Sequence, residues 1–322
     1  MAVVIRGKNR KVSELNMTCL IATSVVRGSQ QGDSHGGVFL IDLKDKKVEQ
    51  KLDWNTMAID WRGRGADRGL RGIAIHNETL FIAASDELYA YNPDFSFKRS
   101  WRNQYLKHCH EIVVYQNQIF LSSTGFDSIL VFDIEKEKFH WGLYVETEGY
   151  QFTGSAFDPC NDDGPLMLNK LHINSVTAND DGLYFAGLKT GGLLHFNGKR
   201  VNMSATLPPG THNAQPYQDG VLFNDTNANM VRYASRDTTK DKAFKVPSIP
   251  DHQITNKNLD DRRIARASFG RGLCIVKEDL IATGSSPSTV ALHDFKSGET
   301  VLRVTVSTDI RNAIHGLEVW NF

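Results

Sequence analysis

Short runs of alternating apolar and polar residues recur along the chain in groups, and each group opens on a ring-bearing or guanidinium residue. The openers are Arg71, His110, His172, His212, Arg271 and His315, in RGIAI, HEIVV, HINSV, HNAQP, RGLCI and HGLEV. A second apolar run follows each of the first five: TLFIAAS, QIFLSS, GLYFAG, GVLFND and DLIATG. The step from Arg71 to Phe81, His110 to Phe120, His212 to Leu222 and Arg271 to Ile281 is ten residues, whereas the turn TANDDG lengthens the His172 copy. A third run then precedes a turn signal: ELYAYNPD, SILVFDIE, GLLHFNGK, NMVRYASR and TVALHDFK. Period-two alternation, β-branched and aromatic enrichment, and Asn, Asp or Gly at the ends predict antiparallel strands joined by hairpins.

A repeat of roughly forty residues with three or four strands is the unit of a β-propeller rather than of a helical solenoid. The last copy is split, with HGLEVW near the C terminus and TCLIATSVV, GGVFLIDLK and KVEQKLDW near the N terminus. Pairing these strands in one blade removes a free sheet edge. The expectation is an all-β fold, a six-bladed β-propeller closed by its N- and C-terminal strands, as a single domain over residues 1–322. The runner-up is a seven-bladed propeller with a degenerate blade in 146–170, which lacks paired alternating runs.

Composition limits the partners. The 37 basic and 37 acidic residues cancel, which argues against nucleic acid or an anionic membrane as a bulk partner. The start MAVVIRGKNRKVSELN has no apolar core with a cleavage site, and no apolar run approaches twenty residues, so neither secretion nor a membrane span is expected and the protein is expected to be cytoplasmic. Cys19, Cys109, Cys160 and Cys274 lack CxxC spacing and read as free thiols.

In a propeller the first strand of each blade lies nearest the axis, so its opener stands at the mouth of the central funnel. Four His and two Arg then converge, in the ring order His315, Arg71, His110, His172, His212, Arg271. His110, His212 and His315 lie on alternate blades and can supply three metal ligands; alternatively His172 joins them and all four bind. Neutral imidazole suits Zn or Fe, with Mn or Cu as further candidates, and three protein ligands with an open position is the catalytic form of a zinc site. Glu111 and Asn174 are placed to orient an imidazole through its other nitrogen. The bland alternative is that these His only line a wet channel. Arg71 and Arg271 flank His315, and their planar forks recognise carboxylate or phosphate, which implies a small anionic substrate; ion pairs to a neighbouring blade through Asp67 or Glu318 are the alternative. Arg62, Arg64 and Arg68 extend the basic character ahead of Arg71.

Two insertions, 146–170 and 246–267, run into openers and are expected to cover the funnel, with Tyr150, Phe152, Phe157 and Asp158 as candidate substrate contacts. The loops around Asp127, Asn224 and Asp225, and Ser285 reach the same face, although turn chemistry alone explains their composition. His195 and His293 sit in third strands and read as blade packing.

The blade pattern resembles six-bladed propellers of the NHL and SMP-30 type. The axial set of His110, His172, His212 and His315 with Arg71 resembles in plan the three-His zinc site of the peptidylglycine amidating lyase propeller, with its essential Arg, and the four-His iron of the seven-bladed carotenoid oxygenases. The HNA and RGL openers are similar to those of uncharacterised bacterial propellers. The resemblance implies a metal-dependent lyase or hydrolase, or alternatively a four-His iron oxygenase; a non-catalytic ligand-binding or protein-interaction propeller is the third reading. The chain has no P-loop or HExxH motif, and no GxGxxG between a strand and a helix. Openers without Asp or Glu also argue against a calcium site.

Overall fold

A computed structural model describes residues 18–30, 32–55, 69–257 and 266–322. Arg62, Arg64, Asp67 and Arg68 lie outside the described residues. The described chain is almost entirely β, with a few single-turn 3₁₀ segments.

Strands follow the apolar runs. The first three are β1 (Cys19–Val26), β2 (Gly37–Asp42) and β3 (Lys47–Asp53). A second sheet holds β4 (Ile73–His76), β5 (Thr79–Ala83), β6 (Glu87–Tyr91) and β7 (Phe97–Arg102) in that order. The third holds β8 (Cys109–Tyr115), β9 (Gln118–Ser123), β10 (Ser128–Asp133), β11 (Lys138–Glu148) and β12 (Gln151–Phe157). The fourth holds β13 (Ile173–Asn179), β14 (Gly182–Gly187), β15 (Gly192–Phe196) and β16 (Val201–Thr206), and the fifth β17 (Thr211–Tyr217), β18 (Gly220–Asp225), β19 (Met230–Ser235) and β20 (Lys242–Lys245). The sixth holds β21 (Phe269–Lys277), β22 (Leu280–Ser286), β23 (Thr289–Asp294) and β24 (Glu299–Thr305). The last strand, β25 (Asn312–Trp320), pairs antiparallel with β1, Cys19 opposite Trp320, and completes the first sheet as β25-β1-β2-β3. Six antiparallel meanders, one closed by both ends of the chain, are the blades of a six-bladed β-propeller.

Residues 146–170 differ from their expected form. Their first half is a hairpin in which β12 pairs with β11, Gln151 opposite Glu148 and Phe157 opposite Gly142, and adds a fifth strand to the third sheet. No further blade forms there.

The chain divides into two compact units, residues 1–71 with 229–231 and 242–322, and residues 72–228 with 232–241. In the first unit the core is Leu20, Ile41, Ala282, Leu292 and Ile314, all buried. In the second, Phe81, Leu88, Leu121 and Phe132 pack between the second and third sheets, and Phe120, Leu143, Ile173 and Phe185 between the third and fourth. Burying each of these large side chains contributes about 1.5–3 kcal/mol. Among the described residues no helix is long and apolar enough to cross a membrane.

Candidate functional site

Three of the openers, His110, Arg271 and His315, lie in β-bulges, and His212 stands just before one. In β25 the residues His315 and Gly316 oppose the single Thr23, in β8 His110 and Glu111 oppose Ser122, in β17 Asn213 and Ala214 oppose Phe223, and in β21 Arg271 and Gly272 oppose Gly284. Each is a β-bulge, which kinks the strand and re-aims a side chain. A hydroxyl on the facing strand satisfies the displaced amides: Ser122 Oγ accepts from His110 N at 3.3 Å and Glu111 N at 2.9 Å, and Thr23 Oγ1 accepts from Gly316 N at 2.8 Å. Thr23 also donates to the carbonyl of Arg71, fixing that opener. Gly272 needs its lack of a side chain: its φ is +75°, in the left-handed region.

The first unit carries the arginines. Arg271 is 8% exposed and Arg71 6% exposed. Arg271 Nη1 donates to His315 Nε2 at 2.8 Å, and the guanidinium lies 4.5 Å from the centre of the Phe269 ring. Because Arg can only donate, His315 accepts through Nε2 and holds its proton on Nδ1. Metal ligation through Nε2 would have to displace Arg271. The Nε of Arg271 is buried without a hydrogen-bond partner. Burial pushes the Arg271 guanidinium well below its ordinary value, and the charges of Arg27 and Arg71 push it further the same way. Arg27, at the end of β1, is also lowered by burial. Glu318, weighed as a partner for these arginines, instead accepts from Cys274 Sγ at 3.5 Å and from Val319 N at 2.8 Å.

The second unit carries three histidines. The His110 ring centre lies 5.5 Å from that of His172 and 6.5 Å from that of His212. His110 Nδ1 donates to His108 O at 2.7 Å and Thr124 Oγ1 at 2.9 Å; Thr124 in turn donates to Ile173 O. His172 Nδ1 donates to Asn169 Oδ1 at 2.9 Å, and His212 Nδ1 to Gly210 O at 3.3 Å. These acceptors fix the same tautomer in all three rings, with the lone pair on Nε2. His172 precedes β13 at φ +56°, and the Asp127 carboxylate holds it there by accepting from Lys170 N, from Leu171 N at 3.1 Å and from His172 N at 2.8 Å. With Nε2–metal bonds of about 2.0–2.1 Å, two ring centres on one ion can be at most about 6.4 Å apart. The His110–His172 pair meets that limit and the His110–His212 pair exceeds it. Among the described residues no three His, Cys, Asp or Glu side chains are disposed to hold a metal ion.

Glu111 and Asn174 sit on the bulged segments beside these rings. Glu111 accepts from Asn213 Nδ2, and burial pushes its carboxyl up to about 7 against the pull of the Asn213 and Val176 hydrogen bonds. Asn213 Oδ1 accepts from Asn224 Nδ2 at 2.9 Å. Asn174 donates to Thr211 O at 3.1 Å, while its buried Oδ1 has no partner. Their partners are amides and backbone, so Glu111 and Asn174 do not take the imidazole-orienting role; His108, Thr124, Asn169 and Gly210 do.

Tyr150 and Asp158 fall elsewhere. Tyr150 is 97% exposed at the tip of the β11–β12 hairpin, where it lines an outer groove with Phe152, Lys199 and Met203. Because β12 is four strands out from β8, about 19 Å of sheet separates it from His110. Asp158 is exposed and caps its own turn, accepting from Cys160 N at 2.9 Å. Of the second insertion, the described part runs over the sixth sheet, where Thr255 bridges Asp309 and Ser248 O accepts from Arg303. His293 is fully buried between Thr283 and Thr300, and its pKa falls to about 4. His195 stacks on Tyr184 at 4.4 Å.

No family model matches the chain, and no curated protein does. Among solved structures it is similar to a protein of unknown function from Bacteroides caccae, at 10% identity and a TM-score of 0.57, over 95% of this chain and 99% of that one. It also aligns with the computationally designed Ika8 protein, at 9% identity and a TM-score of 0.46, over 94% and 96% of the two chains. The Bacteroides caccae likeness supports the fold alone.

Proposed function

We propose that the protein binds a small organic anion, through a carboxylate or phosphate group, at Arg71, Arg271 and Arg27. The supporting observation is Arg271: a buried guanidinium with an unpartnered Nε, acted on by two further arginines. A buried charge is costly unless it is paired, and a bound oxyanion would supply the pair. Thermal melts with a panel of small carboxylates and phosphates test this. A ligand-dependent rise in Tm is expected, and a flat response across the panel would remove the proposal.

A metal-dependent lyase or hydrolase is the second reading, favoured by the common tautomer of His110, His172 and His212, since metal-bound imidazoles donate their other nitrogen to an oxygen in this way. His212 would have to close toward His110 on binding, and Zn or Fe would then polarise a substrate oxygen. Elemental analysis of untagged protein decides: near-stoichiometric metal, lost in His110→Ala, is expected on this reading, and metal-free protein after anaerobic reconstitution eliminates it.

A further inference from the structure

The outer strands of the six sheets are guarded unevenly. Unpaired backbone groups on an edge strand recruit further strands, and charged side chains on that strand oppose this. Charges occur in β3 (KVEQKLD), β7 (FKRSWR), β20 (KAFK) and β24 (ETVLRVT). The outer strands β12 (QFTGSAF) and β16 (VNMSAT), which face each other across the outer groove, carry none.

β12 is the open edge of its sheet, has no Pro, and pairs with β11 without a bulge. Glu148 and Gln151 close a two-residue turn, so Gln151, Thr153 and Ser155 bond to β11. Phe152, Gly154 and Ala156 therefore turn their N–H and C=O outward. Gly154 lies so close to β16 that a Cβ there would stand 2.8 Å from Val201 Cγ2, and Phe152 packs on the cluster that holds Val201. Above this contact the groove encloses about 620 Å³, a volume typical of ligand sites. Lys199 and Arg200 are exposed along it, and among the described residues neither forms an ion pair. Among the described residues no acid lines the groove.

We infer that β12 accepts an extended acidic segment of another protein as a sixth strand of its sheet. Main-chain bonds to Phe152, Gly154 and Ala156 hold the segment, and its alternate acidic side chains face Lys199 and Arg200. Residues opposite one another in a sheet share a face, so Glu146 and Glu148, opposite Thr153 and Gln151, stand on the other side from these acids. A second copy of the chain fits less well: pairing β12 with β12 brings two sets of Lys199 and Arg200 to one face of the joined sheet, and like charges there repel. The inference stands apart from the anion site.

Fluorescence anisotropy of the full chain with three labelled eight-residue peptides tests it. One alternates Thr and Glu, one alternates Thr and Lys, and the third is the acidic peptide N-methylated at every residue, which keeps the charge and removes the donors. The acidic peptide should bind at least about 10-fold more tightly than either of the others. Lys199→Glu combined with Arg200→Glu should reverse the order of the first two. Ala156→Pro removes an outward N–H that β11 does not use, so acidic-peptide binding should fall about 10-fold with Tm unchanged. The N-methylated peptide decides the same point without altering the protein. Equal binding of the acidic and basic peptides, or full binding of the N-methylated one, would overturn strand addition by an acidic partner. Silence of the acidic peptide would remove the site. A concentration-dependent dimer in sedimentation, abolished by Ala156→Pro, would make a second copy the occupant and overturn the partner assigned here.

Discussion

The arginine cluster of the first unit and the histidine cluster of the second use one backbone device for opposite ends. In each unit an inner-strand bulge carries part of the cluster, Arg271 and His315 in one and His110 in the other, and a hydroxyl on the facing strand, Thr23 for His315 and Ser122 for His110, accepts a displaced amide. Arg271 then points only donors at its surroundings, whereas His110, His172 and His212 each direct a proton to an oxygen behind the ring and carry a lone pair on the other nitrogen. The bulge fixes where a side chain stands, and the residue fixes what it offers: hydrogen-bond donors and charge from Arg271 in one unit, and Nε2 lone pairs in the other. A repeat can therefore diversify chemistry without altering its strand pattern.

The sharpest way to break this contrast is Arg271→Met. It removes the buried charge and keeps an apolar stem on Phe269, so anion binding should fall more than about 100-fold, or roughly 3 kcal/mol, while the fold persists. Calorimetry against the tightest anion of the panel reads it. Retained affinity would mean that the cluster is structural, and the comparison between donors and acceptors would collapse.

A middling effect belongs to Asp127, whose carboxylate gathers the amides of residues 170–172 and so sets the His172 ring. Asp127→Ala leaves those amides without their acceptor and should cost about 2 kcal/mol in denaturant unfolding, whereas an exposed loop aspartate would cost almost nothing. Asp127→Asn, which keeps an acceptor, should recover part of the loss.

Blade boundaries and openers were legible because alternation and a ten-residue step survive in the sequence. The β11–β12 hairpin was not, because its outer strand QFTGSAF breaks the alternation: its two aromatic rings, Phe152 and Phe157, are five residues apart and pack on different apolar clusters. Gly149, at φ +63° in the turn, was the available signal. Of the residues that hold or adjoin the openers, Arg27 and Thr124 stand just beyond the ends of second strands, β1 and β9, and Thr23 lies within β1. Antiparallel pairing delivers strand ends to the same face as the openers, so the run VVRGS after β1 could have been read beside the six openers. The Arg271–His315 bond was hidden for another reason: it depends on which ring nitrogen faces the neighbouring inner strand.

The smallest effect separates the clusters by pH. Glu111, in the histidine unit, is pushed by burial from 4.5 up to about 7, so the folded protein keeps that proton to higher pH than the unfolded chain does. Its contribution to stability is complete below about pH 4.5 and is lost as pH rises through about 7. Asp309, in the arginine unit, is held below its ordinary value of 3.8 by its bonds to Arg311; its contribution is present above that value and lost as pH falls through the folded pKa. Between pH 5 and 8 Glu111 should lower stability by about 2 kcal/mol, while the buried His293, lowered from 6.5 to about 4, acts in the opposite sense and raises stability as pH climbs to about 6.5. Glu111→Gln keeps an oxygen for Asn213, and the difference between wild type and this variant in urea unfolding at pH 5, 6.5 and 8 should fall by about 2 kcal/mol from pH 5 to pH 8. Glu318 and Asp127, also raised by burial, share the sign of Glu111, and His293 opposes them; all three remain in the variant and cancel in the difference. A difference that does not change with pH would show that this carboxyl is solvated, and that the histidine cluster sits in a wetter setting than the buried guanidinium of Arg271.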